Sequence, residues 1–132
     1  MRKLIYLFVF FLSISFSSCN TYGKKEEFYG TEVYYKKPIT KEEVKKLGEF
    51  LVRSEFADGK SKSVQLMKND ETGNYVFRMV TQEKAQKEKM YEVLFKALAM
   101  QISDSVFSSQ PVDFDVCNNR FETIKTISFK SK

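Results

Sequence analysis

Residues 63–81 read SVQLMKNDETGNYVFRMVT, and this stretch predicts the centre of the fold. Apolar and polar side chains alternate over residues 63–68 and again over residues 75–81, which is the period of a half-buried β-strand. The intervening NDETGN favours a turn, so the two strands should form a hairpin. On the second strand Tyr75, Phe77 and Met79 share one face, and we expect that face to meet the helices.

A helix is predicted on each side of this hairpin. Thr40 and Glu43 have the spacing of a capping box at the start of the first helix. Its apolar stripe is formed by Val44, Leu47, Gly48 and Leu51. Glycine at position 48 indicates a close approach of this helix to the sheet, because glycine otherwise weakens a helix by ~1 kcal/mol relative to alanine.

The longest helix is predicted over residues 83–107, and it ends before the SSQP sequence at 108–111. Its apolar stripe consists of Tyr91, Leu94, Phe95, Leu98 and Ile102. We expect this stripe to pack on the sheet. The alternative, an amphipathic helix that binds a membrane, is less favoured because the sheet needs an apolar cover.

The outer segments complete an α+β fold. Strands are predicted over residues 28–36, 112–117 and 121–129, and residues 20–27 predict a short polar tether. The first six elements follow the β-α-β-β-α-β order of ferredoxin-like folds, with an added C-terminal strand. Two helices should therefore cover one face of a mostly antiparallel sheet, in a single domain over residues 28–132.

Residues 1–19 read MRKLIYLFVFFLSISFSSC, with a basic start, an apolar run and small residues before a cysteine. A membrane-spanning helix needs ~20 apolar residues, so this shorter run is typical of an export signal. Phe16-Ser17-Ser18-Cys19 resembles the lipobox of bacterial lipoproteins. The resemblance implies cleavage after residue 18, diacylglycerol on the Cys19 sulfur and acylation of its new amine. An ordinary secretory signal with a chance cysteine is the alternative.

The resemblance also implies a location in the cell envelope, with residues 19–27 carrying the lipidated Cys19 and the tether. Asn20 stands where an aspartate would favour retention at the inner membrane, so the outer membrane is expected. The chain has 22 Lys and Arg against 17 Asp and Glu, and two of the basic residues belong to the signal. With export, this mild excess argues against nucleic acid as a partner, and we expect no cofactor.

Asp113 and Asp115 form the best candidate site for chemistry. Residues two apart on a strand share a face, so the two carboxylates are suited to a divalent cation or to acid–base work. Val112, Phe114 and Val116 alternate with the acids, which predicts a half-buried strand with its acids outward, and the alternative is therefore a charged, solvent-facing strand edge that discourages aggregation. Cys117 is expected to be a buried structural thiol, and the absence of histidine from the sequence excludes Ser-His-Asp and Cys-His catalysis.

Tyr34 and Arg78 are the candidate contact residues. Only one tyrosine of Tyr34-Tyr35 can face the core of an alternating strand, so the other, with Lys36 and Lys37, is suited to a glycan or a lipid headgroup. Arg78 among apolar neighbours indicates an anion-binding spot. Strand packing and ordinary exposure are the respective alternatives.

Residues from about 30 to 127 also resemble a small α/β module of exported bacterial proteins. The matching pieces are Gly30-Thr31, Tyr34-Tyr35, Lys46-Leu47-Gly48, Val64-Gln65-Leu66, Phe77-Arg78-Met79-Val80, Pro111-Val112 and Cys117. This resemblance implies a domain and no particular activity. The sequence as a whole favours a lipid-anchored, non-enzymatic module that binds an envelope protein or glycan. The alternative is a small-ligand or divalent-cation protein that uses Asp113 and Asp115.

Overall fold

The computed structural model describes residues 21–129, and over this range the fold is α+β, as predicted. Its elements are β1 (Lys24–Phe28), β2 (Thr31–Tyr35), α1 (Lys41–Arg53), β3 (Lys62–Lys68), β4 (Tyr75–Val80), α2 (Glu83–Lys87), α3 (Lys89–Val106), β5 (Val112–Cys117) and β6 (Thr123–Ile127). None of the helices in this part of the chain is long and apolar enough to cross a membrane.

The six strands form one mostly antiparallel sheet, in which they lie in the same order as in the sequence. The hairpins β1–β2, β3–β4 and β5–β6 are antiparallel, whereas β2 lies parallel to β3 and β4 parallel to β5. In a ferredoxin-like split β-α-β unit, another strand separates the two parallel strands. Here the parallel strands are direct neighbours, so the ferredoxin-like order is not confirmed. Hydrophobic periodicity identifies strands without specifying which of them pair.

The amino end of the described chain differs from the prediction. Residues 24–27, predicted as part of the tether, belong to β1, which pairs with β2. The strand predicted over residues 28–36 is divided by a turn in which Tyr29 and Gly30 have φ angles of 44° and 87°. Since β1 is an edge strand with the sequence KKEEF, it lacks the apolar alternation by which strands are recognised.

Helix α1 begins as predicted. The Thr40 hydroxyl accepts a hydrogen bond from the Glu43 amide at 3.2 Å, and the Thr40 amide donates to the Glu43 carboxylate at 2.9 Å. Gly48 is buried against the ring of Phe28 in β1, and a Cβ atom at this position would overlap that ring. The close approach of α1 to the sheet is therefore confirmed.

The longest predicted helix is interrupted at Glu88, whose φ and ψ angles of −84° and 130° are extended, so that α2 and α3 are separate. The buried residues of α3 are Phe95, Ala99, Ile102 and Ser103. Leu94, predicted to lie in the core, is 54% exposed, so that part of the prediction is wrong. Ala99 and Ser103 have small side chains, so α3 packs on the core through the side that carries them. Leu94 lies outside this contact.

The core lies between the helices and one face of the sheet. The ring of Phe95 in α3 stacks on Phe114 with centroids 4.6 Å apart, and Tyr75 stacks on Phe107 at 3.8 Å. Tyr75 and Phe77 thus face the helices, as predicted. Alternate residues of each strand project from the opposite side, which no described helix covers, and we call that side the open face.

Candidate functional site

A row of aligned residues crosses the open face from one edge of the sheet to the other. Each of the five strand pairings places one member directly beside the next. This polar row consists of Lys25, Tyr34, Gln65, Arg78, Asp115 and Thr126. Three of the four residues predicted as contact or ligand residues therefore occupy a single line, and Asp113 lies two residues from it on the same face.

Arg78 lies near the centre of the row and is bound on several sides. Its Nε atom donates to Asp115 at 3.2 Å, one terminal nitrogen donates to the Gln65 side chain, and the other donates to the Phe121 carbonyl at 2.7 Å and to Thr123 at 3.0 Å. The Arg78 side chain is only 15% exposed. Protein acceptors therefore occupy the guanidinium at which an anion site was predicted.

Asp115 and Asp113 share the open face, as their spacing predicts, but they have separate partners. Besides Arg78, Asp115 accepts a hydrogen bond from the Thr126 hydroxyl at 2.8 Å. Asp113 accepts from the Phe129 amide at 2.7 Å and from the Asn74 amide group at 3.3 Å. Among residues 21–129 no group of three or more Asp, Glu or Cys side chains is placed to hold a metal ion.

The acids of β5 were expected at a solvent-facing strand edge. The structure corrects this: β5 lies between β4 and β6, Asp113 is 9% exposed, and the Asp115 side chain is 14% exposed. Their donors come from β4 and the turn before it, through Arg78 and Asn74, and from the chain after β5, through Thr126 and Phe129. Their role as aggregation-preventing edge charges is therefore not supported.

Three aromatic rings pack over the polar row. Tyr22, Tyr34 and Phe121 meet edge to face, with centroids 5.0 to 5.7 Å apart. The carbonyl of Tyr22 also accepts a hydrogen bond from the Gln65 side chain at 2.9 Å. The first described residues are thus held on the open face.

A charged cluster lies beside these rings. Lys25 pairs with Glu32 at 3.0 Å, and the Tyr34 hydroxyl donates to the same carboxylate at 2.9 Å. The hydrogen bonds from Lys25 and Tyr34 lower the pKa of Glu32 below its usual value. Burial, together with the hydrogen bond to Glu32, raises the pKa of Tyr34. Both pKa shifts reinforce the protonation states that Glu32 and Tyr34 already have at physiological pH, charged and neutral respectively.

Tyr34 and the Lys36-Lys37 pair do not form one patch. Tyr34 lies on the open face, whereas Tyr35 is buried in the core at 6% exposure, in agreement with the expectation that only one of the two faces inward. Lys36 and Lys37 line a separate cleft of about 330 Å³ with Lys24.

Cys117 is a free thiol with no exposed surface, as predicted for a structural residue. Burial raises the pKa of this thiol, which disfavours the thiolate that a nucleophile requires.

The sequence-based search missed Gln65, Tyr22 and Phe121. Gln65 is only 3% exposed. The only indication of its role in the sequence was its position between Ser63 and Met67, on the side of β3 that faces away from the core. Phe121 was assigned to the last strand, but it precedes β6 with a φ angle of 56° and presents its carbonyl to Arg78. Tyr22 lay in the predicted tether. These contacts depend on tertiary folding, so no local pattern reports them.

A protein family model described as a family N-terminal domain matches residues 26–128. The chain therefore belongs to that family. No curated protein matches the chain, and no solved structure does. Cys19, its lipobox and the remainder of residues 1–20 lie outside both the match and the described residues.

Proposed function

We propose that this member of the N-terminal domain family is a lipid-anchored, non-enzymatic binding module of the bacterial cell envelope. Its open face binds an envelope protein or a glycan. The observation that carries this proposal is a sheet face that no described helix covers, on which Lys25 is exposed and Tyr34 is half-buried beside the buried centre of the polar row.

The anchor is supported by the lipobox-like Phe16-Ser17-Ser18-Cys19. Cleavage after residue 18 leaves Cys19 three residues from Tyr22, which contacts the open face. Three residues span at most ~11 Å, so the lipid is attached close to the binding surface. Two or more acyl chains give a stable anchor, and Asn20 after the cysteine favours the outer membrane.

A binding role is supported by the rigidity of the open face. The hydrogen bonds of Arg78 and Asp115 join side chains of four strands and the backbone carbonyl of Phe121 before β6. Side chains that are already ordered lose less conformational entropy when a partner binds. A cleft of about 570 Å³ beside Arg78, lined in part by Met67 and Val76, offers space for a partner's side chain.

The alternative proposal, a divalent cation at Asp113 and Asp115, has less support, because protein donors already occupy both carboxylates. Thermal melting distinguishes it. A cation site requires calcium or magnesium to raise the Tm of the wild type and not that of Asp113→Asn/Asp115→Asn. We expect no shift in either protein.

Photo-crosslinking in intact cells tests the open face. A photoreactive residue replaces Lys25 or Met67 on that face, and the matched control carries it at Glu49, which is exposed on α1 on the opposite side. We expect one discrete adduct from the first two positions and none from the third. Equal labelling at all three positions, or no adduct from the open face, contradicts the proposal.

Acyl labelling tests the anchor separately. Cys19→Ser removes the only sulfur to which the lipobox directs diacylglycerol. We therefore expect loss of labelling and accumulation of unprocessed precursor. Cys117→Ser is the control, because it changes the buried thiol and should leave labelling intact. Unchanged labelling of Cys19→Ser overturns the anchor.

A further inference from the structure

The outer side of α3 is apolar although nothing in the described structure covers it. Its large side chains there are between 48% and 69% exposed. We call this surface the outer stripe, and it consists of Met90, Val93, Leu94, Ala97 and Met100. Residues separated by three or four positions lie on one side of a helix, so the five form a continuous surface.

The neighbouring helix shows that this is not a general property of the helical layer. The outward positions of α1 are mostly charged and include Glu42, Lys45, Lys46, Glu49 and Arg53. Helix α3 is apolar both on its core side and on its outer side. A contiguous exposed apolar patch marks an interaction site.

We infer that the outer stripe is the contact between two copies of this chain, which pair through antiparallel α3 helices. A two-fold axis at Ala97 places Ala97 of one copy against the same residue of its partner. Leu94 then meets Met100 of the other copy, and Met90 lies beside Asp104. The small side chain at the crossing point allows the helices to approach closely, as helix packing requires.

The charges at the ends of α3 favour the antiparallel direction. Lys89 lies in the first turn and Asp104 in the last, whereas Glu92, the acid of the first turn, is paired with Lys125 at 3.2 Å. Antiparallel pairing brings the two into proximity, whereas parallel pairing places like charges side by side. The helix dipoles also attract each other in the antiparallel arrangement and repel in the parallel one.

A lipid bilayer is a less suitable occupant of the outer stripe, and this step rests on the proposed anchor at Cys19. The tether from Cys19 reaches ~11 Å beyond Tyr22, which packs on the open face. The outer stripe lies beyond the sheet and a helix about 10 Å thick, on the opposite side. A bilayer that holds the anchor therefore faces away from this stripe.

Pairing through one helix buries less than the ~800 Å² per partner of a standard protein interface. The contact should therefore be weak in dilute solution. Attachment of both copies to one membrane raises their effective concentration and favours pairing. Pairing through the outer stripe does not cover either open face, because the stripe lies on the opposite side of the sheet.

Disulfide crosslinking in bacterial membranes tests the inference with the full-length chain. Ala97→Cys should give a disulfide-linked dimer on mild oxidation, because the two-fold axis passes at this residue. The Met90→Cys/Asp104→Cys double variant should also crosslink, whereas each of its single variants should not. The wild type, which contains Cys19 and Cys117, gives the background.

Glu49→Cys, exposed on α1, is the matched control for random collision. Adding Leu94→Glu to Ala97→Cys should abolish the dimer, since it buries a charge in the contact. Equal crosslinking at positions 97 and 49, self-crosslinking of Met90→Cys, or no dimer from Ala97→Cys overturns the inference. Acyl labelling of the same samples reports the anchor independently, so a dimer without label keeps the pairing and overturns only the anchor.

Discussion

The two sides of strands β4 and β5 are buried by different means. Phe77 pairs with Phe114 on the side that faces the helices, and both are completely buried. One residue further along each strand, Arg78 pairs with Asp115 on the open face. That ion pair is almost as inaccessible, at 15% and 14% exposure, although no described helix covers it.

The two faces differ in how specifically placed the groups that bury them must be. The phenylalanines need apolar contact, which is non-directional, and Phe95 supplies part of it by stacking on Phe114. The ion pair needs donors and acceptors at defined positions, because an unpaired buried charge is strongly unfavourable. Side chains of β3 and β6 and the carbonyl of Phe121 meet that need. The helical side therefore supplies most of the stability, whereas the open side supplies a fixed arrangement of polar groups.

The largest effect is expected on the helical side. Phe114→Ala should lower the free energy of unfolding by about 3–5 kcal/mol, because it removes a fully buried ring and leaves a cavity. Chemical denaturation of the full chain in detergent measures this. Val52→Ala is the control, since it shortens a side chain that is 43% exposed and lies outside the outer stripe, and it should change stability by less than about 0.5 kcal/mol. A cost below about 1 kcal/mol for Phe114→Ala would show that the helices do not seal this face.

A smaller loss of stability is expected on the open face of the sheet. Arg78→Met should cost about 2–3 kcal/mol, because it leaves the Asp115 carboxylate and the Phe121 carbonyl without their charged donor. The same denaturation measurement applies. The methionine keeps the length of the side chain, so the loss reports the polar contacts rather than the volume.

The double variant Arg78→Met/Asp115→Leu sharpens the comparison. Removing both charges eliminates the unpaired carboxylate, so the combined cost should be clearly less than the sum of the two single variants. Additive costs would mean that Arg78 and Asp115 act independently, and the open face would then lack the coupled network that its contacts indicate.

The two sides also differ in how far the sequence predicted them. Alternation over residues 75–81 and 112–117 placed Phe77 and Phe114 toward the helices and Arg78 and Asp115 away from them, and the structure has this arrangement. Apolar periodicity reports which face is buried by the core. It does not report the return of residues 120–123 over Arg78, since hydrogen bonds between distant segments leave no periodic signal. The acids were therefore expected in solvent.

The same limit explains the errors in the helices and the sheet order. The core-facing stripe of α3 was predicted from large apolar residues alone. Because this helix has a second apolar side, the pattern did not show that Leu94 belongs to the exposed side. Likewise, β1 was hidden because an edge strand of Lys and Glu has no buried face to produce alternation. The local capping signal of Thr40 and Glu43 depends on four consecutive residues, and it was predicted correctly.

The smallest effect concerns the polar contact on the helical side. The hydroxyl of Tyr75, in the core, donates to Glu43 of α1. Burial, followed by the hydrogen bond to Glu43, raises the pKa of Tyr75 to about 12. Tyr75→Phe should cost about 0.5–1.5 kcal/mol at neutral pH, where this hydrogen bond is intact.

The dependence of that cost on pH tests the raised pKa of Tyr75, to which burial and the Glu43 hydrogen bond both contribute. Tyrosine in the unfolded chain loses its proton near about pH 10, whereas folded Tyr75 retains it until about pH 12. The folded state therefore binds more protons across this interval, and the stability that Tyr75 contributes is fully present below it and falls as the pH rises. Tyr75→Phe lacks this loss, so its disadvantage should shrink as the pH rises through the interval.

Tyr34→Phe is the matched variant on the open face, where the pKa is also raised but the ring is less buried, and a smaller change of the same sign is expected. Denaturation curves at several alkaline pH values measure both variants against the wild type. A cost of Tyr75→Phe that stays constant through the interval would mean that folding does not raise the pKa of Tyr75, so that neither burial nor the Glu43 contact disfavours its phenolate.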